Sequence, residues 1–202
     1  MTTTSAATDG LAVRDRLIGG LAHALEERRL VDVTMNDIVR HARTSKRTFY
    51  EHFADKEACF VALYTQACDG LAAAQEQALD PAMPVDELIT TLSRVYLAYM
   101  AAGPAIARAA LSDIVAGGDA CLAARRQQHE RSARDMRGLF ARAAELQPGA
   151  AIQPLTMESA AAVVGGINEL VLRAFDLGGA ERLPALEPTI THLLRSVVLT
   201  PR

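Results

Sequence analysis

From Thr44 to Lys56 the chain reads Thr-Ser-Lys-Arg-Thr-Phe-Tyr-Glu-His-Phe-Ala-Asp-Lys. Phe49 and Phe53, four apart, share one face of a helix and can pack inward on Leu21, Ile38 and Ala42. Thr44, Ser45, Lys46, Arg47, Thr48, Tyr50 and His52 are then left for the outer side. Lys46 and Arg47 at the start of such a helix are placed to reach guanine acceptors or phosphates in a major groove. Tyr50, His52 and Lys56 suit phosphate contacts that set register without reading bases. Thr34, at the start of the preceding helix, sits where backbone amides and the helix dipole favour a phosphate.

A short reading helix needs neighbours to hold it. Leu17, Ile18, Leu21 and Leu25 make a stripe in a first helix of roughly 18 residues. Thr34 with Asp37 forms a capping-box variant that opens a second helix running to His41, and Val33 with Ile38 fits the hydrophobic staple. Ser45 is the natural cap of the third helix and Asp55 of the fourth. The fourth should run from Lys56 to Leu79, where Pro81 and Pro84 stop it. Helices are expected over Pro84–Ala102, Pro104–Ala116, Ala120–Leu146, Pro154–Leu177 and Pro184–Leu199. Gly-Gly and Pro-Gly pairs mark the breaks between them. The expected fold is all-α, with about nine helices: a disordered tail over 1–10, a three-helix helix-turn-helix domain over 11–53, and a helical body over 54–202.

Composition narrows the functions. Half of the 202 residues are hydrophobic but only 4 % are aromatic, which favours helices over strands. The formal net charge is −3, so nucleic-acid binding has to be local. Residues 1–56 hold nine Lys and Arg against eight Asp and Glu, about +1, which leaves about −4 for the rest. The first residues lack a cationic segment followed by an apolar run, and no uninterrupted stretch of 18 apolar residues occurs; we expect a cytoplasmic protein without a membrane partner. The three cysteines, Cys59, Cys68 and Cys121, have no metal-ligand spacing, and Cys59 and Cys68 would lie roughly 13 Å apart along one helix, too far to pair. His41, His52, His129 and His192 have no ligand spacing either. With no phosphate-cradling glycine loop, nucleophile elbow or acid–base pair, no enzyme, cofactor or metal is expected.

The stretch from Leu11 to Leu63 resembles the DNA-binding region of TetR-type transcriptional regulators. The residues that carry the resemblance are Thr34, Ile38, Ala42, Ser45, Thr48-Phe49-Tyr50, His52-Phe53 and Asp55-Lys56-Glu57-Ala58. Beyond Leu63 only helix number and length agree, apart from a weaker likeness of Gly165–Leu170 to the eighth helix of such proteins. The resemblance implies a sequence-specific DNA-binding regulator: the third helix reads double-stranded operator DNA, helices eight and nine form a homodimer, and the others enclose a small-molecule effector site. Such a protein is expected to act as a repressor that a small lipophilic ligand releases. The competing expectation is a helical adaptor or holdase that uses its apolar C-terminal surface and does not bind DNA.

The body offers residues for both roles. Ser159 to Phe175 is apolar nearly all round, so it needs a core on one side and a partner on the other. Val163, Ile167, Leu170 and Ala174, with Ile190, Leu193, Leu194 and Val197, are the candidate dimer residues. Polar or aromatic side chains on apolar faces, namely Tyr64, Tyr96, Met100, Asp113, His129, Met136, Phe140 and Asn168, are the candidate pocket residues.

The turn before the third helix departs from the family pattern, which has Gly where this chain has Arg43. If φ there is positive, Arg43 carries strain on the order of 1 kcal/mol, which a phosphate contact could offset. Arg43→Gly should therefore stabilise the fold in thermal denaturation and weaken operator binding in a mobility-shift titration. Unchanged affinity would remove the contact.

Overall fold

The computed structural model describes residues 3–200, with side chains from residue 10 onward. Helix α1 (Thr3–Glu27) buries Leu17, Ile18, Leu21, Ala24 and Leu25 along one face. Its backbone is helical through most of the segment expected to be a tail, because Ser5-Ala6-Ala7 contains no residue that stops a helix before Gly10. A single 3-10 turn, Leu30–Asp32, leads into α2 (Met35–His41), and α3 (Lys46–His52) follows. Helix α4 (Lys56–Ala78) starts on the Asp55 cap, whose carboxylate accepts from the Ala58 amide at 2.7 Å.

Helices α5 (Val85–Ala102), α6 (Pro104–Leu111), α7 (Gly118–Leu146), α8 (Met157–Gly178) and α9 (Glu187–Val198) build the rest. The all-α expectation with nine helices holds among the described residues. Three of these helix boundaries differ from the sequence reading by three residues or more. Helix α6 ends at Leu111, not Ala116, because Asp113 is drawn out into a 3-10 turn by the partners described below. Helix α8 starts at Met157, not Pro154, since Thr156 caps it by accepting from the Ser159 amide at 3.1 Å. The residues before it pair with the end of the chain: Gln153 N donates to Val198 O at 2.8 Å, and Ile152 and Leu199 form an isolated antiparallel bridge. Helix α9 starts at Glu187, because Gly179 (φ 90°) and Pro184 hold Ala180–Leu186 in 3-10 turns.

Two apolar cores result. The first unites Leu17, Leu21, Ile38, Phe49 and Phe53 with Cys59, Phe60, Leu63 and Tyr64 of α4, and reaches Ala109, Ile114 and Cys121. The second joins α5, the end of α7, α8 and α9. Helix α4 thus begins in one core and leaves it, so the three-helix unit leans on the body's own helix.

Close approach of α1 and α2 depends on one residue. A Cβ on Gly20 would lie 2.6 Å from the Ile38 carbonyl oxygen and 2.9 Å from the Ala42 nitrogen, both backbone atoms that cannot step aside. The adjacent Gly19 has open space around it.

The Asp113 carboxylate, only 8 % exposed, ties the three-helix unit to the body. Arg29 Nε donates to its two oxygens at 3.0 and 3.3 Å, Arg29 Nη2 donates to Oδ1, and the Leu30 amide donates to Oδ2 at 3.0 Å. The Ser112 hydroxyl accepts from Arg29 Nη2 at 3.0 Å and passes its own proton toward Oδ1 at 2.9 Å. Burial works to raise the Asp113 pKa, but hydrogen bonds from Arg29, Leu30 and Ser112 outweigh it and hold the carboxyl below its ordinary value.

Two predictions follow from this packing. Gly20→Ala should destabilise the protein by about 1–3 kcal/mol through overpacking, whereas Gly19→Ala should stabilise it by about 0.5–1 kcal/mol, both read from urea denaturation. Asp113→Asn should lower stability by about 2 kcal/mol at neutral pH, since it leaves Arg29 and the Leu30 amide poorly matched. A carboxyl whose pKa falls on folding adds stability above its unfolded pKa of about 3.9 and loses it as pH drops through the folded value. The gap between native protein and variant should therefore close in acid, as measured by denaturation at pH 7 and below pH 4.

Candidate nucleic-acid interface and internal cavity

The turn between α2 and α3 is a Schellman cap. Thr44 N donates to Val39 O at 3.0 Å and Arg43 N to Arg40 O at 3.2 Å, with Arg43 at φ 52°. Of the two alternatives for Arg43, a positive φ or a reshaped turn, the positive φ is present, and the side chain is exposed. Ser45 then caps α3, its hydroxyl accepting from Thr48 N at 3.1 Å and lying 2.9 Å from Thr48 Oγ1.

Helix α3 has the two faces its spacing requires. Phe49 and Phe53 are buried, with ring centroids 5.6 Å apart, and Arg14 of α1 lies over the Phe53 ring at 5.0 Å. Lys46 and Arg47 are exposed, as is Tyr50 at 60 %, its ring edge-on to Phe49; Thr44, Thr48 and His52 are half-buried at the margin. Arg47 Nε reaches Glu51 at 3.2 Å, but the arginine side chain is 90 % exposed, so the pair is weak and the guanidinium can turn to another acceptor.

Two expected phosphate contacts are otherwise engaged. The Thr34 hydroxyl donates to Asp37 Oδ2 at 2.6 Å and its amide to the same oxygen at 2.9 Å. The Thr34 hydroxyl bond and then its amide hold the Asp37 carboxyl down to about 2. The start of α2 is thus already occupied by a carboxylate, and Thr34 has spent the donors a phosphate would use. Lys56 Nζ donates to Leu30 O at 2.7 Å and Val33 O at 2.9 Å, fastening α4 to the turn before α2. Its role here is to position the unit. Sequence reading missed Arg28 and Arg40, half-exposed cations beside α2 that share Asp37 and Glu27. Their signal was the charge alternation between Glu26 and Arg40.

The body encloses a cavity of about 1050 Å³ between α4, α5, α6, α7, α8 and α9. Tyr64, Tyr96, Met100, His129, Met136 and Asn168 line it, as their positions on apolar faces suggested. Asp113 and Phe140 do not. The first is committed to Arg29 and Leu30, and the second is fully buried in the second core. The lining also includes Cys68 and Tyr99, the latter bonded through its hydroxyl to Ala67 O at 2.8 Å. Burial pushes the Cys68 thiol up to about 11 and raises the phenols of Tyr64 and Tyr96, so these groups stay protonated.

The candidate dimer residues divide. Val163, Ile167, Ala174, Ile190 and Leu194 are buried in the chain's own second core, because that side of α8 and α9 packs on α5 and the preceding 3-10 turns. Leu170, Leu193 and Val197 remain partly open, as do Gly166 and the more exposed Ala162 and Leu177 of α8. The apolar run of α8 placed both faces in one list, since periodicity alone does not tell the inner from the outer side.

Similarities to known proteins agree with this geometry. Residues 22–63 match the model of the family described as bacterial regulatory proteins, tetR family. No curated protein matches the sequence. Among solved structures, the fatty acid degradation regulator FadR from Bacillus halodurans superimposes with a TM-score of 0.75 at 17 % identity, over 90 % of this chain and 93 % of that one. FadR from Bacillus subtilis, solved in complex with stearoyl-CoA, gives 0.69 at 15 %, over 89 % and 96 %. A TetR-family transcriptional regulator from Pectobacterium atrosepticum gives 0.68 at 22 %, over 96 % and 98 %. No helix among the described residues is long and apolar enough to cross a membrane. Over residues 22–63, its helix-turn-helix unit, the chain thus matches the bacterial regulatory proteins of the tetR family, and its body has the fold of the solved structures above.

Proposed function

We propose that the protein is a homodimeric repressor that binds operator DNA through α3 and is released by a lipophilic ligand held in the cavity. The observation that carries this reading is the exposed side of α3: Lys46, Arg47 and Tyr50 stand clear of the core while Phe49 and Phe53 anchor the helix from behind. Arg43, Ser45 and Thr48 flank that face, with Lys46 and Arg47 reading base edges and Tyr50 and His52 touching phosphates. Two such helices, spaced about one DNA turn apart, need two chains. The outer stripe Ala162, Gly166, Leu170 and Leu177 of α8, with Leu193 and Val197 of α9, supplies a surface for that pairing.

Apolar walls such as Leu71, Leu92, Ile106 and Leu172, with Arg125 at the solvent edge, support an extended lipophilic effector. FadR of Bacillus subtilis, which shares the fold, was solved with stearoyl-CoA, and a long acyl chain is the effector class we propose here. Helix α6 lines the cavity through Ile106, Ala107 and Ala110, and two residues beyond its end Asp113 holds Arg29 and Leu30. A ligand that spreads α6 from α4 would thus act on the helix-turn-helix unit, to the extent that it binds the two arrangements differently.

A mobility-shift titration against the DNA upstream of the chain's own gene tests the reading. Affinity should fall steeply with salt, with a log–log slope near about −0.9 per phosphate contacted. Lys46→Ala and Arg47→Ala should change sequence preference, and Tyr50→Ala should weaken all sequences alike. If all three leave binding intact, α3 is not the reader. Leu170→Glu should convert the protein to a monomer in sedimentation equilibrium and weaken operator binding with it. A variant that stays dimeric would place the interface elsewhere.

A further inference from the structure

The inner part of the cavity is lined by polar side chains but by no Asp, Glu, Lys or Arg. The charged residues of its lining are at the solvent edge: Glu76, Arg125, Asp135 and Glu169 are exposed, and Arg131 is paired with Asp69 and Asp135. Deeper in, several polar side chains already have a fixed partner. Ser93 Oγ donates to Ile89 O at 2.9 Å, and His129 Nε2 donates to Ala161 O at 3.0 Å.

Asn168 has one fixed partner and one free side. The Tyr96 hydroxyl donates to Asn168 Oδ1 at 2.7 Å, which holds the carboxamide with its oxygen toward the phenol. The amide nitrogen then points away from Tyr96. No described residue accepts from Nδ2, yet no buried side-chain nitrogen or oxygen lacks a partner. The NH2 group is therefore open to the cavity. Val164, Gly165 and Leu172, its neighbours on the same side of α8, also line the space, so a ligand meets the donor amid apolar surface.

We infer that Asn168, oriented by Tyr96, is the polar anchor of the cavity and selects lipophilic ligands that carry an uncharged carbonyl oxygen, such as ketones, esters or thioesters. This rests on the cavity's being the effector site. An NH2 whose cavity side meets only alkane leaves its donors unsatisfied there, whereas a carbonyl oxygen satisfies one. A free carboxylate at this depth would lose its hydration without gaining a cation.

The test uses N-phenyl-1-naphthylamine, an apolar dye that fluoresces when enclosed, with the full-length protein. Displacement of the dye is compared for 2-undecanone and undecane, which differ by one carbonyl. In the native protein the ketone should act at about one-tenth of the alkane's concentration, the tenfold being the worth of one well-made buried hydrogen bond. In Asn168→Leu the two curves should merge while the dye still binds. The double variant Tyr96→Phe with Asn168→Leu, which leaves no phenol stranded, should behave the same. Equal displacement in the native protein, or a ketone preference that survives in the variants, overturns the anchor while leaving the cavity reading intact. Failure of the dye and both ligands to enter the native protein overturns both.

Discussion

The Asp113 carboxylate fixes how the helix-turn-helix unit sits on the body. The unit shares one apolar core with α4, α6 and the start of α7, and α5, α8 and α9 share another. Apolar contact alone does not specify an angle between them, because it is non-directional. A carboxylate that accepts from two nitrogens on one edge of a guanidinium and from a backbone amide does, since each bond has a preferred line. Its position right after α6 explains that helix's short length and ties the cavity wall to the turn ahead of α2.

The parts of the fold that local chemistry controls were legible before any coordinates. The Thr34, Ser45 and Asp55 caps, the Phe49–Phe53 inner face of α3 and the positive φ at Arg43 each depend on a few adjacent residues, and each is present. What escaped depends on partners far along the chain. Asp113 looked like a pocket residue because it sits in step with Ile106 and Ala110; its real partners, Arg29 and Leu30, lie more than 80 residues away. Lys56 looked like a phosphate clamp for the same reason, although the carbonyls it serves belong to a turn some 25 residues earlier. The tight place at Gly20 was invisible as well, because adjacent glycines in a helix look alike until the helix that crosses them is known.

The candidate dimer surface shows a different limit. A helix apolar on every side announces that two partners exist but not which side each takes. On α8 the division is settled by α5 and the second core, which claim Val163, Ile167 and Ala174 and leave Ala162, Gly166 and Leu170 toward the outside. The cavity residues were easier to find, because Tyr96, His129 and Asn168 interrupt otherwise apolar stripes that face one another across the body.

Leu30 is held on three sides at once: its amide by Asp113, its carbonyl by Lys56 and its side chain by the first core. Such a residue behaves like a peg in a socket and has no intermediate resting place. Any rearrangement that tilts the three-helix unit against the body has to free all three holds together or none. On the proposed reading, a ligand that moves this joint would therefore switch it between arrangements in place of bending it by degrees.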